Sequence, residues 1–130
     1  MLVPLERGDW VTRLYTLRTT RWETVTPVVL HGHNASRGRI SVAKTERLLH
    51  QAFEAAGIPA RIIAELAFQP APYWPGCKAA AAIRVPQHLE GWPRLHVQVR
   101  FREAVEGPII AGIGRHYGIG LFGGRQASGD

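Results

Sequence analysis

The histidines have the widest chemical reach in this chain. An unperturbed imidazole titrates near pH 6.5, so at neutral pH it can take a proton from a hydroxyl or give one to a leaving oxygen. There are six, at positions 31, 33, 50, 88, 96 and 116, and their settings differ. His31 and His33 fall in His31-Gly-His-Asn-Ala-Ser-Arg-Gly-Arg39, a basic loop between an apolar run and a helix-capping serine. An RNA backbone can be held there by amides and by Arg37, Arg39 and Lys44. His116 lies in a second loop, where Gly112, Gly114, Gly118 and Gly120 surround Arg115 and His116. Glycines let backbone amides approach a phosphate chain, and the interposed Arg and His favour a polyanion, although tight turns needing positive φ would use the same residues. His50 in a helical pattern, His88 in a proline-flanked loop and His96 on the polar side of a strand read as surface or capping residues.

Other chemistries fit less well. No Gly-Lys-Ser/Thr follows the glycine-rich segment and no amphipathic helix opens after it, so neither a Walker loop nor a dinucleotide fingerprint is present. His31-Gly-His33 has no carboxylate nearby, and the single thiol, Cys77, is distant in sequence, which disfavours a metal site. The ten Asp plus Glu residues are not placed as a hydrolytic triad or a Mg²⁺ carboxylate set requires. No cofactor or metal is expected.

Charge points the same way as the loops. Sixteen Lys plus Arg against ten Asp plus Glu give a formal net charge of +6, and fourteen of the sixteen are Arg. Guanidinium groups suit bidentate phosphate contacts and stacking on bases. A polyanionic partner follows, with nucleic acid first among them. One cysteine cannot form an internal disulfide, no stretch approaches the roughly 20 apolar residues that span a bilayer, and the N-terminus does not read as a leader, so a soluble cytoplasmic protein with no membrane partner is expected.

The elements that must position these loops can be read from periodicity. At 130 residues the chain suits one globular domain with a core. Thr12 to Arg18 alternates as a strand. Trp22-Glu-Thr-Val-Thr-Pro-Val-Val-Leu30 reads as a second, with Pro27 at an edge or bulge because it lacks an amide donor. Ser41 caps a helix whose apolar residues Leu48, Leu49, Ala52, Phe53 and Ala56 repeat at three-to-four spacing until Gly57 and Pro59 stop it. Residues 60–69 read as a strand and Lys78 to Val85 as its hairpin partner. Arg94 to Arg102 alternates most cleanly: Leu95, Val97, Val99 and Phe101 point inward, while Arg94, His96, Gln98, Arg100 and Arg102 point outward. These elements predict an α+β domain, ferredoxin-like (RRM-type), with a second helix reduced to a remnant within residues 105–112 and a C-terminal glycine-rich loop. Residues 1–19 read as an N-terminal strand or linker, 20–124 as the domain and 125–130 as a tail.

The Thr-Pro strand from Trp22 to Leu30, the alternating strand Leu95 to Phe101 and the segment Gly107-Pro-Ile-Ile-Ala-Gly-Ile-Gly-Arg-His-Tyr-Gly-Ile-Gly-Leu-Phe122 together resemble a CRISPR-associated family. It is the family of type I-U (I-G) fusion subunits, whose C-terminal half is a repeat-RNA endoribonuclease following a scaffold half. The likeness runs from about Thr20 to Phe122. It implies an RRM-type module whose glycine-rich loop contacts the repeat hairpin of CRISPR RNA, a metal-independent cut in the precursor transcript, and partnership with other type I effector-complex subunits. His33 matches the family's histidine after the first strand and His116 the one in the glycine loop, while His31 falls where the pattern usually has an acidic or polar residue.

The residues suit that chemistry. RNA is cleaved by its own 2′-hydroxyl when one group removes that proton, another protonates the departing 5′-oxygen and cations stabilise the phosphorane. His33 and His116 are the expected acid–base pair, with Arg115 and Arg39 as charge stabilisers. Arg37, Arg39, Lys44, Arg100, Arg102, Gly112, Gly114, Arg115, Gly118 and Gly120 are the expected RNA contacts. A non-catalytic subunit that holds a finished guide would use the same basic loops; a ribosome-linked or DNA-binding basic domain would show no preference for a repeat hairpin.

Overall fold

The computed structural model describes residues 14–36 and 39–126. Arg37, the first positions of the expected N-terminal strand and most of the expected tail lie outside them. Within the described part, residues 14–16 are helical and a strand starts only at Arg18, so the expected strand over 12–18 is not what forms.

The chain is a mixed α+β fold on an antiparallel sheet. Its spine is β6 (Arg94–Glu106), 13 residues long and extending beyond the Arg94–Arg102 alternation. On one flank β6 pairs with β1 (Arg18–Thr24) and β2 (Val28–Val29); on the other it pairs with β5 (Ile63–Gln69). The last strand, β7 (Phe122–Arg125), closes the sheet outside β1. β1 and β2 are one path broken by a bulge. Glu23 lies opposite Gln98 and Val28 opposite Leu95, so residues 24–27 face only 96–97. Pro27 sits in that break, where its missing amide costs no ladder bond. With β1 and β2 counted as one, the sheet order is second, third, first, fourth, and the one long helix among the described residues lies between the first two strands, consistent with a ferredoxin-like plan.

That helix, Val42–Ala55, starts where Ser41 accepts a hydrogen bond from the Lys44 amide through Oγ at 3.2 Å, and it gives way to Gly57 at φ +89. It buries Thr45, Leu49 and Phe53. Phe53 meets Phe101 edge-on at 6.0 Å and Phe122 at 5.6 Å, beside Trp22, Val97 and Val99. Truncating Phe53 to alanine would cost about 3–5 kcal/mol, because the cavity left between helix and sheet has nothing to fill it. Trp22 is fully buried and donates from Nε1 to the Thr19 carbonyl at 3.1 Å, which satisfies its polar end.

Two expectations are corrected. β5 takes β6 as its partner, and 78–85 does not return as a hairpin strand; it holds a 3₁₀ turn at Ala80–Ala82. The physical reason is side-chain area. Val97, Val99 and Phe101 give β5 large cross-strand neighbours, whereas a run of alanines offers a strand little to pack. Nor does a helical remnant occupy 105–112. Val105 and Glu106 still belong to β6, a cis Gly107–Pro108 peptide follows, and the only helical turn between β6 and β7 is the 3₁₀ turn Arg115–Tyr117. Each glycine in a helix interior costs about 1 kcal/mol and a proline about 3, which this segment cannot recover.

The long connection between β5 and β6 builds a second, smaller core. Val29, Leu89 and Ile119 are buried together, with Val85, Trp92 and Ile113 packed against them. Among the described residues no helix is long and apolar enough to cross a membrane.

Candidate functional site

The second core joins the two loops singled out by their histidines. The first leaves β2 with the Leu30 amide bonded to the Pro93 carbonyl at 2.9 Å, which brings Trp92 alongside. His31 meets the Trp92 ring edge-on at 5.4 Å, and His33 lies against it at 5.1 Å and a tilt of 31°. Both histidines are exposed. Asn34 then turns inward: buried, it donates from Nδ2 to Thr45 Oγ1 at 3.2 Å and accepts the Ser41 amide on its backbone carbonyl at 2.7 Å. Those bonds close the neck of a short hairpin, β3 (Ala35–Ser36) with β4 (Arg39–Ile40), against the helix start.

The glycine-rich loop runs along β2. The Ile113 amide donates to the Val29 carbonyl at 3.0 Å, and a Cβ on Gly112 (φ +94) would stand 2.6 Å from that same oxygen. A cavity of about 260 Å³ lies at the joint, lined by His31, Leu48, Gln51, Ala52, Gly112 and Arg115 among others. The histidine loop and the glycine loop therefore share one wall.

Thr26, in the bulge, fastens this arrangement. Its hydroxyl donates to the Gly118 carbonyl at 3.1 Å and accepts the amides of Gly120 and Leu121, each at 3.0 Å. One donor and two lone pairs exhaust the hydroxyl's capacity. Inside the loop, Arg115 donates its amide to Gly112, Tyr117 and Ile119 theirs to Gly114, and Gly118 its own to Arg115. These amides close the loop on itself, which differs from the expected backbone cradle. Gly112, Gly114 and Gly120 are buried, and a Cβ at Gly120 would collide with the Ala111 carbonyl. Their lack of a side chain serves packing; Gly118 is exposed, at φ +75, with open space around its Cα. What the loop offers outward is its side chains: exposed His116 and Tyr117, and half-buried Arg115.

His88, expected to be a bystander, faces that turn. Its ring lies 5.7 Å from that of Tyr117, with Nε2 3.5 Å from the phenol oxygen. Thus His31, His33, His88 and His116 all come from segments packed around the second core. Arg39 is exposed on the hairpin, and Lys44 is in the first turn of the helix, near the same end of the sheet. Arg100 and Arg102 are not part of this cluster. They lie six and eight positions beyond Arg94 along β6, about 20–26 Å at roughly 3.3 Å per residue. Arg100 binds Glu65 at 2.8 Å, and Arg102 donates from Nε to the Arg61 carbonyl at 3.1 Å.

The sheet face that carries Arg100 is a broad concavity of about 980 Å³ whose charges are largely matched. Glu23, 7% exposed, accepts from Gln98 at 2.5 Å and from Arg125 at 2.6 Å, and the Arg125 guanidinium lies 3.7 Å from the Trp74 ring centre. The hydrogen bond and charge of Arg100 hold the Glu65 carboxyl below its usual range. Tyr73 is pushed up by burial and then by the Glu23 charge, and burial also raises the Cys77 thiol. A thiol so raised is a weak nucleophile. Among the described residues no three His, Cys, Asp or Glu side chains gather as a metal site would need.

His96 is the clearest departure from its expected surface role. It is fully buried: Nε2 lies 2.8 Å from the Lys78 carbonyl and Nδ1 2.9 Å from Thr24 Oγ1, which also accepts the Val97 amide at 2.8 Å. A carbonyl can only accept, so Nε2 carries a proton. The connection between β5 and β6 covers this ring, and an alternating pattern gives no sign of such a cover. Nor does the sequence single out Thr26 or Tyr117, or show that Trp92 meets both His31 and His33. A Thr-Pro pair marks a bulge but not what its hydroxyl reaches, and an aromatic in a proline-rich loop reads equally as core.

Comparison with known proteins gives one positive finding. No curated protein and no solved structure matches the chain. The model of a family described as CRISPR-associated protein, GSU0054 family, matches residues 2–124, which takes in both loops, the bulge that joins them and the strands of the main sheet up to but not including the last residue of β7. The chain therefore belongs to the GSU0054 family of CRISPR-associated proteins.

Proposed function

We propose that this protein binds the repeat hairpin of precursor CRISPR RNA, cuts it without a metal ion, and stays with the product as a subunit of a type I effector complex in the cytoplasm. On this reading the fold is ferredoxin-like, of the RRM type, with the second helix replaced by the glycine loop. The observation that carries the proposal is the shared wall: His31, Gly112 and Arg115 line one cavity, with His33 on Trp92 beside it and His116 on the same loop as Arg115.

In the cut, the 2′-oxygen attacks the adjacent phosphorus and the bond from phosphorus to the 5′-oxygen breaks. One imidazole takes the 2′-hydroxyl proton, a second supplies the proton that the 5′-oxygen gains, and arginines offset the charge building on the phosphorane. His33 and His116 are assigned the proton transfers, Arg115 and Arg39 the charge. Arg37, Lys44, Arg100 and Arg102 are assigned contacts to the RNA backbone, and Gly112, Gly114, Gly118 and Gly120 shape the loop. The products are a 2′,3′-cyclic phosphate and a 5′-hydroxyl. Labelled repeat RNA incubated with the protein in EDTA should yield those two ends, and an unrelated duplex at matched salt should bind more weakly. Equal binding to both, with no cut, would overturn the reading.

The rings around the second core favour a second reading. His33 lies against Trp92, and His88 faces Tyr117, arrangements suited to stacking on bases. A subunit that only holds the processed guide would bind the hairpin tightly and leave it whole.

A further inference from the structure

Resting on the RNA reading above, we infer that the pocket beside Trp92 seats one unpaired base of the bound RNA, stacked on the aromatic group that Trp92 forms with His33. The pocket is separate from the cavity at the loop joint. It encloses about 510 Å³, inside the roughly 300–1,000 Å³ range of small-ligand sites. Trp92, Phe68, Pro93 and Leu95 give it an apolar wall, and Arg94 and Ile40 lie at its edge.

Three features point to a nucleotide. The lining contains a cation and no Asp or Glu, unlike the sheet concavity, where Glu23 and Glu65 answer the arginines. Arg94 bonds the Ile83 carbonyl at 2.6 Å through one nitrogen, and a guanidinium has five donors, so it can hold this position and still meet a phosphate. Ile40, 61% exposed, lines the same pocket, so a solvent-facing apolar side chain shares the lining with the Arg94 cation. An apolar slot, an indole and a one-sign rim together suit a flat base on an anionic backbone, and they suit an acidic or neutral peptide less well. Stacking tolerates any base, so the slot would fix the position of an unpaired nucleotide relative to His33 more than its identity.

The test uses the full chain and a repeat RNA carrying 2-aminopurine at one unpaired position at a time. Two variants separate stacking from packing: Trp92→Leu keeps apolar volume in the second core, and Trp92→Phe keeps a ring. One position should be quenched on binding to the wild type. Trp92→Leu should relieve that quench and weaken binding roughly 5- to 150-fold, the range set by losing one base–aromatic stack, while Trp92→Phe keeps most of both. RNA bound with no position whose quench depends on residue 92, and with Trp92→Leu at wild-type affinity, would overturn this inference and leave the RNA reading standing. No binding of repeat RNA by the wild type would overturn both.

Discussion

The hydroxyl of Thr26 donates to the carbonyl of Gly118, 92 positions away, and the same oxygen accepts the amide of Gly120. The strand bulge and the glycine loop are thereby one unit, and the wall shared by His31 and Arg115 depends on it. Thr26→Val keeps the shape and removes the hydroxyl, leaving two amides without their acceptor. We expect a loss of about 1–3 kcal/mol in urea unfolding, with Thr26→Ser close to wild type. Equal midpoints for all three would show that the pin carries no weight.

The glycines of the loop should separate into two groups. Gly120→Ala meets the Ala111 carbonyl and should lower stability severely, by 3 kcal/mol or more on the order expected for overpacked, strained positions. Gly118→Ala meets open space and bears only its left-handed backbone, about 1–2 kcal/mol. Thermal unfolding ranks them. The reverse order would mean that these glycines are not selected by packing.

His96 should matter to the fold and not to the chemistry. His96→Ala removes a filled, doubly bonded ring and strands the Lys78 carbonyl, so we expect about 2–4 kcal/mol lost. RNA cleavage per folded molecule should stay unchanged below the new unfolding midpoint. Nitrogen-15 spectra of the wild-type ring should show the proton on Nε2.

Glu65 ties a pH dependence to the sheet face. Arg100 holds its carboxyl below the ordinary range, so the pair supports the fold at neutral pH, above the unfolded carboxylate value. That support is lost as pH falls through the depressed folded value. Both side chains are well exposed, so the effect is small. Glu65→Gln should flatten the acid limb of the stability curve measured by urea unfolding, and an unchanged limb would contradict the assignment.

Much of the frame was legible from local pattern. The capped helix from Ser41 to Gly57, the alternation of Leu95, Val97, Val99 and Phe101, and the break at Pro27 each rest on nearest-neighbour rules, and each is present in the fold. What failed depends on contacts distant in sequence. The partner of β5 is not legible locally because pairing is decided by competition among strands, and β6 has larger side chains to offer than the alanines at 79–82. The burial of His96 is not legible because period-two alternation cannot show that a loop folds over one end of a strand. At the site, the two loops were visible as glycine and histidine clusters, but their meeting is set by Thr26 and the second core, and Trp92 between His31 and His33 has no local signature. The glycine pattern is legible in the sequence and its physical reason is not, because a ligand cradle and a tightly packed loop demand the same residue type.

The account stands most directly on the rate of repeat-RNA cleavage in EDTA by wild type and His33→Ala, with binding affinity measured alongside. Removing a general acid or base should slow the cut by about 10²- to 10⁴-fold at saturating RNA, whatever part of the affinity is lost with the contact between His33 and Trp92. His33→Ala cutting at the wild-type rate, or a wild type that binds the hairpin tightly and never cuts it, would contradict the claim that these two loops form an RNA-cleaving site.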